Sequence, residues 1–193
     1  MITVRVLLLL LLALPPWWGD RQETGRIARL ERIALATNGA VDRATCTNEP
    51  EECRPLWSVS ERDDLTLLLV ALAWHETRLA RHIHENRCGR YECGPYFRDG
   101  KLYHASRGPW QLERSAFIAE QWDAVQGSDQ TSTNAAAWGA VKVLAHGRRR
   151  CGTLRGAVSL YATGKRCSWS GADERMRTFR RLQRKAEEVR DAD

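Results

Sequence analysis

The run "DDLTLLLVALAWHET", residues 63–77, constrains the fold of this chain more than any other stretch. Leu65, Leu68, Leu69 and Leu72 recur at i, i+3, i+4 and i+7, and Glu76 follows at i+11, so all five share one face of a helix. That spacing predicts a helix over residues 60–79, opened by a capping-box variant in which Ser60 stands three residues before Asp63. Its apolar face ends in a carboxylate. A charge on a buried face costs several kcal/mol unless it is paired or takes up a proton. Glu76 is therefore open to several readings. It is a desolvated carboxyl with its pKa raised toward the range of a general acid, or a structural ion pair with Arg78, Arg81 or another basic side chain, or it stands at a helix end that is simply exposed.

The rest of the chain reads as helical around this element. With 193 residues and 43% apolar content it can bury one substantial core, and it is short for two. Ile27, Leu30, Ile33 and Ala34 give a stripe over residues 25–36. Further helical patterns cover residues 110–125, 134–146, 154–162 and 173–189, punctuated by Gly127, Gly147, Gly152 and Gly164. In the last of these, Met176, Phe179, Leu182 and Ala186 form a stripe among arginines, which reads as a packed terminal helix with a solvated basic face. Between the helices lies "HENRCGRYECGPYFRDGKLYHASRGP". It has no sustained period, and it suggests an irregular excursion with a short hairpin at Asp99-Gly100. Long excursions in compact domains are usually functional or held by disulfides.

The first residues combine a basic start at Arg5, an apolar run from Val6 to Leu14 and the helix breakers Pro15 and Pro16. This is signal-peptide anatomy over residues 1–19, or else a short N-terminal anchor. The run is about half the ~20 residues of a spanning helix. The remaining residues, 20–193, are expected to form a single domain. Export to a periplasmic or external compartment fits the six cysteines, which such a compartment allows to pair. Sequence order suggests the local pairs Cys46–Cys53, Cys88–Cys93 and Cys151–Cys167, out of 15 possible connectivities.

The histidine and glutamate of "HET" raise metal chemistry as one reading. A His-Glu-x-x-His zinc site needs a second histidine four residues after His75, and Leu79 stands there; His82 is seven residues on. A tetrahedral site from His82, His84, Cys88 and Cys93 has suitable ligand types, but exported cysteines pair more readily than they chelate. No metal and no cofactor is expected.

Four motifs taken together resemble the lytic transglycosylase family of the goose-lysozyme-like fold. The first is Glu-Ser at the end of an apolar helix, matched by Glu76 and Thr77. The second is Ser, Gly and Gln followed by an apolar residue, matched in "SRGPWQL" by Ser106, Gly108, Gln111 and Leu112. The third is an Asn opening a helix with an internal Gly-Ala pair, matched by Asn134, Gly139 and Ala140. The last is Ala-Tyr-Asn-x-Gly, matched in part by Tyr161 and Gly164. The motif core spans residues 60–164. Here "GPW" replaces the more usual Gly-Leu-Met, Ala162 replaces the Asn after the tyrosine, and the stretch before Gln111 is long and has its own cysteine pair.

The resemblance implies a helical lysozyme-like domain with a disulfide-held loop or small hairpin beside a cleft. It implies cleavage of the MurNAc-GlcNAc β-1,4 bond of peptidoglycan with formation of 1,6-anhydroMurNAc. Glu76 would be the one acid/base, Ser106, Gly108 and Gln111 would orient the sugar, and Tyr161 would line the cleft or hydrogen-bond the acid. Ordinary glycosidases use two carboxylates. Glu85, Glu92, Asp99 and Glu113 stay open as second candidates, and with them a hydrolytic muramidase.

Tyr96 and Trp110, with Trp74 and Trp122, offer aromatic faces for sugar stacking, and a net charge of +6 suits an acidic wall polymer. The expected partner is the glycan strand of peptidoglycan, with the chain a monomer that can associate with envelope or secretion machinery. A non-catalytic wall-binding or secretion-associated module is the rival from another class. Basic and acidic residues interleave without a nucleic-acid motif, so nucleic acid is not expected as a partner.

Overall fold

A computed structural model describes residues 1–16, 20, 24–47, 53–113 and 119–191. Within these residues the protein is mostly helical: α1 (Val4–Ala13), α2 (Arg26–Thr45), α3 (Arg62–Thr77), α4 (Arg81–His84), α5 (Gln130–Cys151), α6 (Leu154–Thr163) and α7 (Gly171–Asp191). Two small antiparallel pairs interrupt them: β1 (Pro95–Arg98) with β2 (Lys101–His104), and β3 (Ser106–Arg107) with β4 (Leu112–Glu113). Helix α5 packs along α2 and α6, while α3 packs on α2 and α7.

Helix α3 is central. Every residue from Leu65 to Trp74 is buried, so the helix is enclosed on all sides and the stripe read from the sequence is only part of its core surface. Its start differs from the expected capping box. A 3-10 turn, Val59–Glu61, precedes it and is capped by Ser58, while Asp63 instead accepts from the backbone N–H of Ile2 at 2.8 Å and pairs with Arg190 at 2.6 Å. Its end is abrupt, because Arg78 and Leu79 both adopt left-handed backbone conformations, with φ of 52° and 56°. The Thr77 hydroxyl fixes this break by donating to the carbonyl of Ala73 and accepting from the N–H of Leu79. From α2, the buried Arg29 reaches across to the Leu79 carbonyl and pairs with Asp20. The chain therefore leaves α3 directly after Glu76 along a fixed path.

The apolar run near the start forms α1. Its Leu7, Leu10 and Leu11 are buried against α2 and α7, and the indole N–H of Trp74 donates to the carbonyl of Pro15 at 3.0 Å. No helix among the described residues is long and apolar enough to cross a membrane. The terminal helix α7 buries Phe179, Leu182 and Ala186 and keeps Arg177, Arg180, Arg181 and Arg184 exposed, as its stripe predicts, while Arg175 turns inward.

All three local disulfides are present, Cys46–Cys53, Cys88–Cys93 and Cys151–Cys167. These bridges are compatible with an exported protein. The hairpin turns at Asp99-Gly100 as expected, with both residues at positive φ.

Three helix expectations change. Residues 110–125 do not form a helix where described; they give a turn, the short strand β4 and the 3-10 turns Ala119–Gln121 and Ala124–Gln126. The cause is local: Gln111 has φ of 47°, and the backbone swings back to pair Glu113 with Ser106. Residues 114–118 lie outside the described set. Helix α5 is opened by Asp129, whose carboxylate accepts from the N–H of Ser132, so Asn134 sits one turn inside the helix. Gly147 lies within α5 and does not end it. A Cβ there would sit 3.0 Å from the Cα of Ala157, so the glycine permits close packing of α5 on α6.

Candidate active site

A cleft of about 650 Å³ gathers residues from widely separated parts of the chain. Glu76 comes from the end of α3, and Gly94 and Ser106 from the base of the hairpin. Gln111, Leu112 and Glu113 come from the turn into β4, His146 and Arg150 from α5, and Tyr161 to Gly164 from the end of α6. Four of the expected site residues, Glu76, Ser106, Gln111 and Tyr161, thus share one cavity. Gly108, the fifth, lies in the turn just before Gln111, with φ of 67°, and its carbonyl accepts both the backbone and the side-chain N–H of Gln111, each at 3.1 Å.

The Gln111 turn is held by the residue that makes the local sequence unusual. Trp110 is fully buried, and its indole N–H donates to the carbonyl of Leu69 in α3 at 3.0 Å. It therefore offers no face to a ligand, and the expectation that it stacks on sugar is corrected: it anchors the turn. Tyr161 acts from the opposite side. Its hydroxyl donates to the Trp110 carbonyl at 2.5 Å, a partner other than the Glu76 carboxylate. Burial first, and then the negative charge of Glu76, push the Tyr161 phenol well above its ordinary pKa.

Glu76 is paired. Its Oε1 accepts from Arg175 Nε at 2.9 Å and from Arg175 Nη2 at 2.7 Å, and both side chains are mostly buried, at 17% and 14% exposure. The carboxyl is thus both withdrawn from solvent and ion-paired. Its partner is on α7, 99 residues away, where neither Arg78 nor Arg81 had pointed. Arg78 lies over the ring of Trp74, and Arg81 pairs with Glu85. Arg175 is itself fixed, with its guanidinium 5.1 Å from the Trp169 ring centre and Nη1 donating to the Gly171 carbonyl. No sequence signal near Glu76 could have found it.

His75 turns away from the cleft toward α7, where its Nε2 lies 2.7 Å from the hydroxyl of Thr178. Burial, helped by Arg175, lowers its pKa from 6.5 to about 4. His82 pairs with Glu92, and the buried His84 meets Thr133. Cys88 and Cys93 are bonded to each other, which removes them as thiolate ligands. Among the described residues, no group of three or more His, Cys, Asp and Glu side chains is placed to hold a metal ion.

On the hairpin side, Tyr96 is half exposed and stacks on Tyr103, with ring centres 5.5 Å apart. Trp74 is buried and Trp122 is partly buried against the core. Glu113 was only one of several open carboxylates in the sequence, and it alone of these lines the cleft. It faces Ser106 across the β3–β4 pair. A Cβ added at Gly94 would lie 3.1 Å from the Ser106 hydroxyl and 3.7 Å from Glu113 Oε1. A side chain at position 94 would therefore crowd both residues.

The chain matches no protein-family model, no curated protein and no solved structure.

Proposed function

We propose that the protein is an exported enzyme that cleaves peptidoglycan glycan strands, acting as a lytic transglycosylase with Glu76 as its acid/base. The observation that supports this reading most is the shared cleft: Glu76, Ser106, Gln111 and Tyr161, the residues on which the family resemblance rests, line one cavity although they are spread over 86 positions. Its volume of about 650 Å³ and mixed polar and apolar lining suit a sugar, which presents hydroxyls at its edge and C–H groups on its faces.

In the proposed reaction, Glu76 gives a proton to the glycosidic oxygen as the bond from that oxygen to the muramoyl C1 breaks. The bonding electrons leave with the oxygen. The C6 hydroxyl of the same muramoyl residue then attacks C1 and returns its proton to Glu76, so no water is consumed. Gln111 is held by the Gly108 turn to hydrogen-bond the sugar, and the Ser106 hydroxyl lies on the same wall.

Glu76→Gln preserves the shape of the side chain and removes the acid. Release of soluble muropeptides from purified peptidoglycan should fall to background with an unchanged circular dichroism spectrum, and undiminished release would reject Glu76 as the acid. One observation favours a second reading, hydrolysis. Glu113 is a second carboxylate in the cleft, opposite Ser106, and would be the base that activates a water. The hydrolytic product is one water heavier than the anhydro product.

A further inference from the structure

The ion pair between Glu76 and Arg175 is asymmetric in a way that bears on proton transfer. Both guanidinium hydrogen bonds end on Oε1, and Oε2 takes no part in the bridge. A guanidinium has donors only. A proton placed on Oε1 would face those donors, whereas a proton on Oε2 leaves Oε1 as a carbonyl oxygen that still accepts from Arg175. We infer that Arg175 is a positioning residue for the reaction proposed above: it fixes the Glu76 carboxyl through Oε1 and so makes Oε2 the oxygen that carries, delivers and recovers the proton.

The surroundings support this division. Arg175 is held by the Trp169 ring and by the Gly171 carbonyl one helical turn before it, so the guanidinium is directed by α7 independently of Glu76. The other polar groups nearby are committed elsewhere. The Tyr161 hydroxyl donates to Trp110, and His75 is engaged with Thr178. Among the described residues, it is Arg175 whose hydrogen bonds oppose rotation of the carboxyl, which would present either oxygen to the sugar. The sequence resemblance ends at Gly164, before α7 begins, so this role lies outside the motifs that point to Glu76.

The test uses the full chain with purified peptidoglycan and compares wild type, Arg175→Ala and Arg175→Lys. Loss of the positioning contact should lower kcat on the order of ten- to a hundred-fold, the scale of a misplaced reacting group. KM should change less than about threefold, since substrate-binding groups are untouched. Added methylguanidinium should restore a substantial part of the Arg175→Ala activity. Arg175→Lys keeps the charge without the two-pronged donor, and should melt near wild type with intermediate kcat. A small cation cannot rescue a misfolded chain, so rescue separates positioning from a merely structural role. Wild-type kcat in either variant overturns the inference. So does a loss in Arg175→Ala that methylguanidinium leaves unchanged. A wild-type chain that yields no product instead defeats the glycan-cleaving reading itself, and with it the role of Arg175.

Discussion

The two walls of the cleft are built by different means. The helical wall presents Glu76, His146 and Tyr161 from α3, α5 and α6, whose apolar sides are buried in the main core. The facing wall presents Gly94, Ser106, Gln111 and Glu113 from a segment with almost no core of its own, where Tyr91, Phe97, Tyr96, Leu102 and Tyr103 are exposed. That segment is shaped by left-handed residues at Cys93, Asp99 and Gln111, by the Cys88–Cys93 bridge and by Trp110, which reaches into the core from it. One half of the site rests on burial, and the other on backbone constraint with Trp110, and beside it Leu112, set into the core.

The sharpest way to break this contrast is to remove the anchor. Trp110→Ala should cost about 3–5 kcal/mol in urea unfolding, the usual range for a buried tryptophan. Leu102→Ala, on the exposed hairpin, should cost no more than about 0.5 kcal/mol. Equal costs would mean that the hairpin wall is not held at Trp110. Disulfides give the next largest effect. Replacing Cys151 and Cys167 by Ser should cost about 3 kcal/mol, and replacing Cys88 and Cys93 about 2 kcal/mol, from the loop lengths they close. Activity should order the other way, because the shorter bridge shapes the wall that carries Ser106 and Gln111, and a muropeptide-release assay on both variants decides it.

A third test is a pH dependence at His75, behind the helical wall. Its folded pKa is about 4 against an ordinary 6.5. Between those values the unfolded chain binds a proton that the folded chain does not, so stability falls as pH drops from about 6.5 toward 4. Above pH 6.5 the contribution is fully present. His75→Gln should flatten that part of the stability profile, and an unchanged slope would show that another group causes it.

The same contrast explains what was legible in the sequence. Helices α2, α3, α6 and α7 were readable because their leucines, isoleucines and alanines repeat at helical spacing, and burial rewards that pattern directly. The three disulfides followed sequence order because each closes a local loop. The hairpin turn was legible in Asp99-Gly100. Residues 110–125 misled, since Trp110, Leu112 and Val125 are all buried but are brought inward by turns, and nothing in their types announces a left-handed Gln111. The site was half legible in the same way. The end of an apolar helix pointed to Glu76, and the motif resemblance to Gln111 and Tyr161. Arg175 could not be foreseen, because a pair separated by 99 residues is created only when α7 packs on α3. Trp110 was misassigned because an aromatic ring beside a site glutamine reads equally as a sugar platform or an anchor, and only its burial decides.

The most direct test of the account is a mass spectrum of the soluble products released from purified peptidoglycan by the wild-type chain and by Glu76→Gln. The account predicts muropeptides ending in 1,6-anhydroMurNAc from the wild type and none from the variant. Products one water heavier would replace transglycosylation with hydrolysis, and the same products from both proteins, or none from the wild type, would contradict the assignment of this cleft to glycan cleavage.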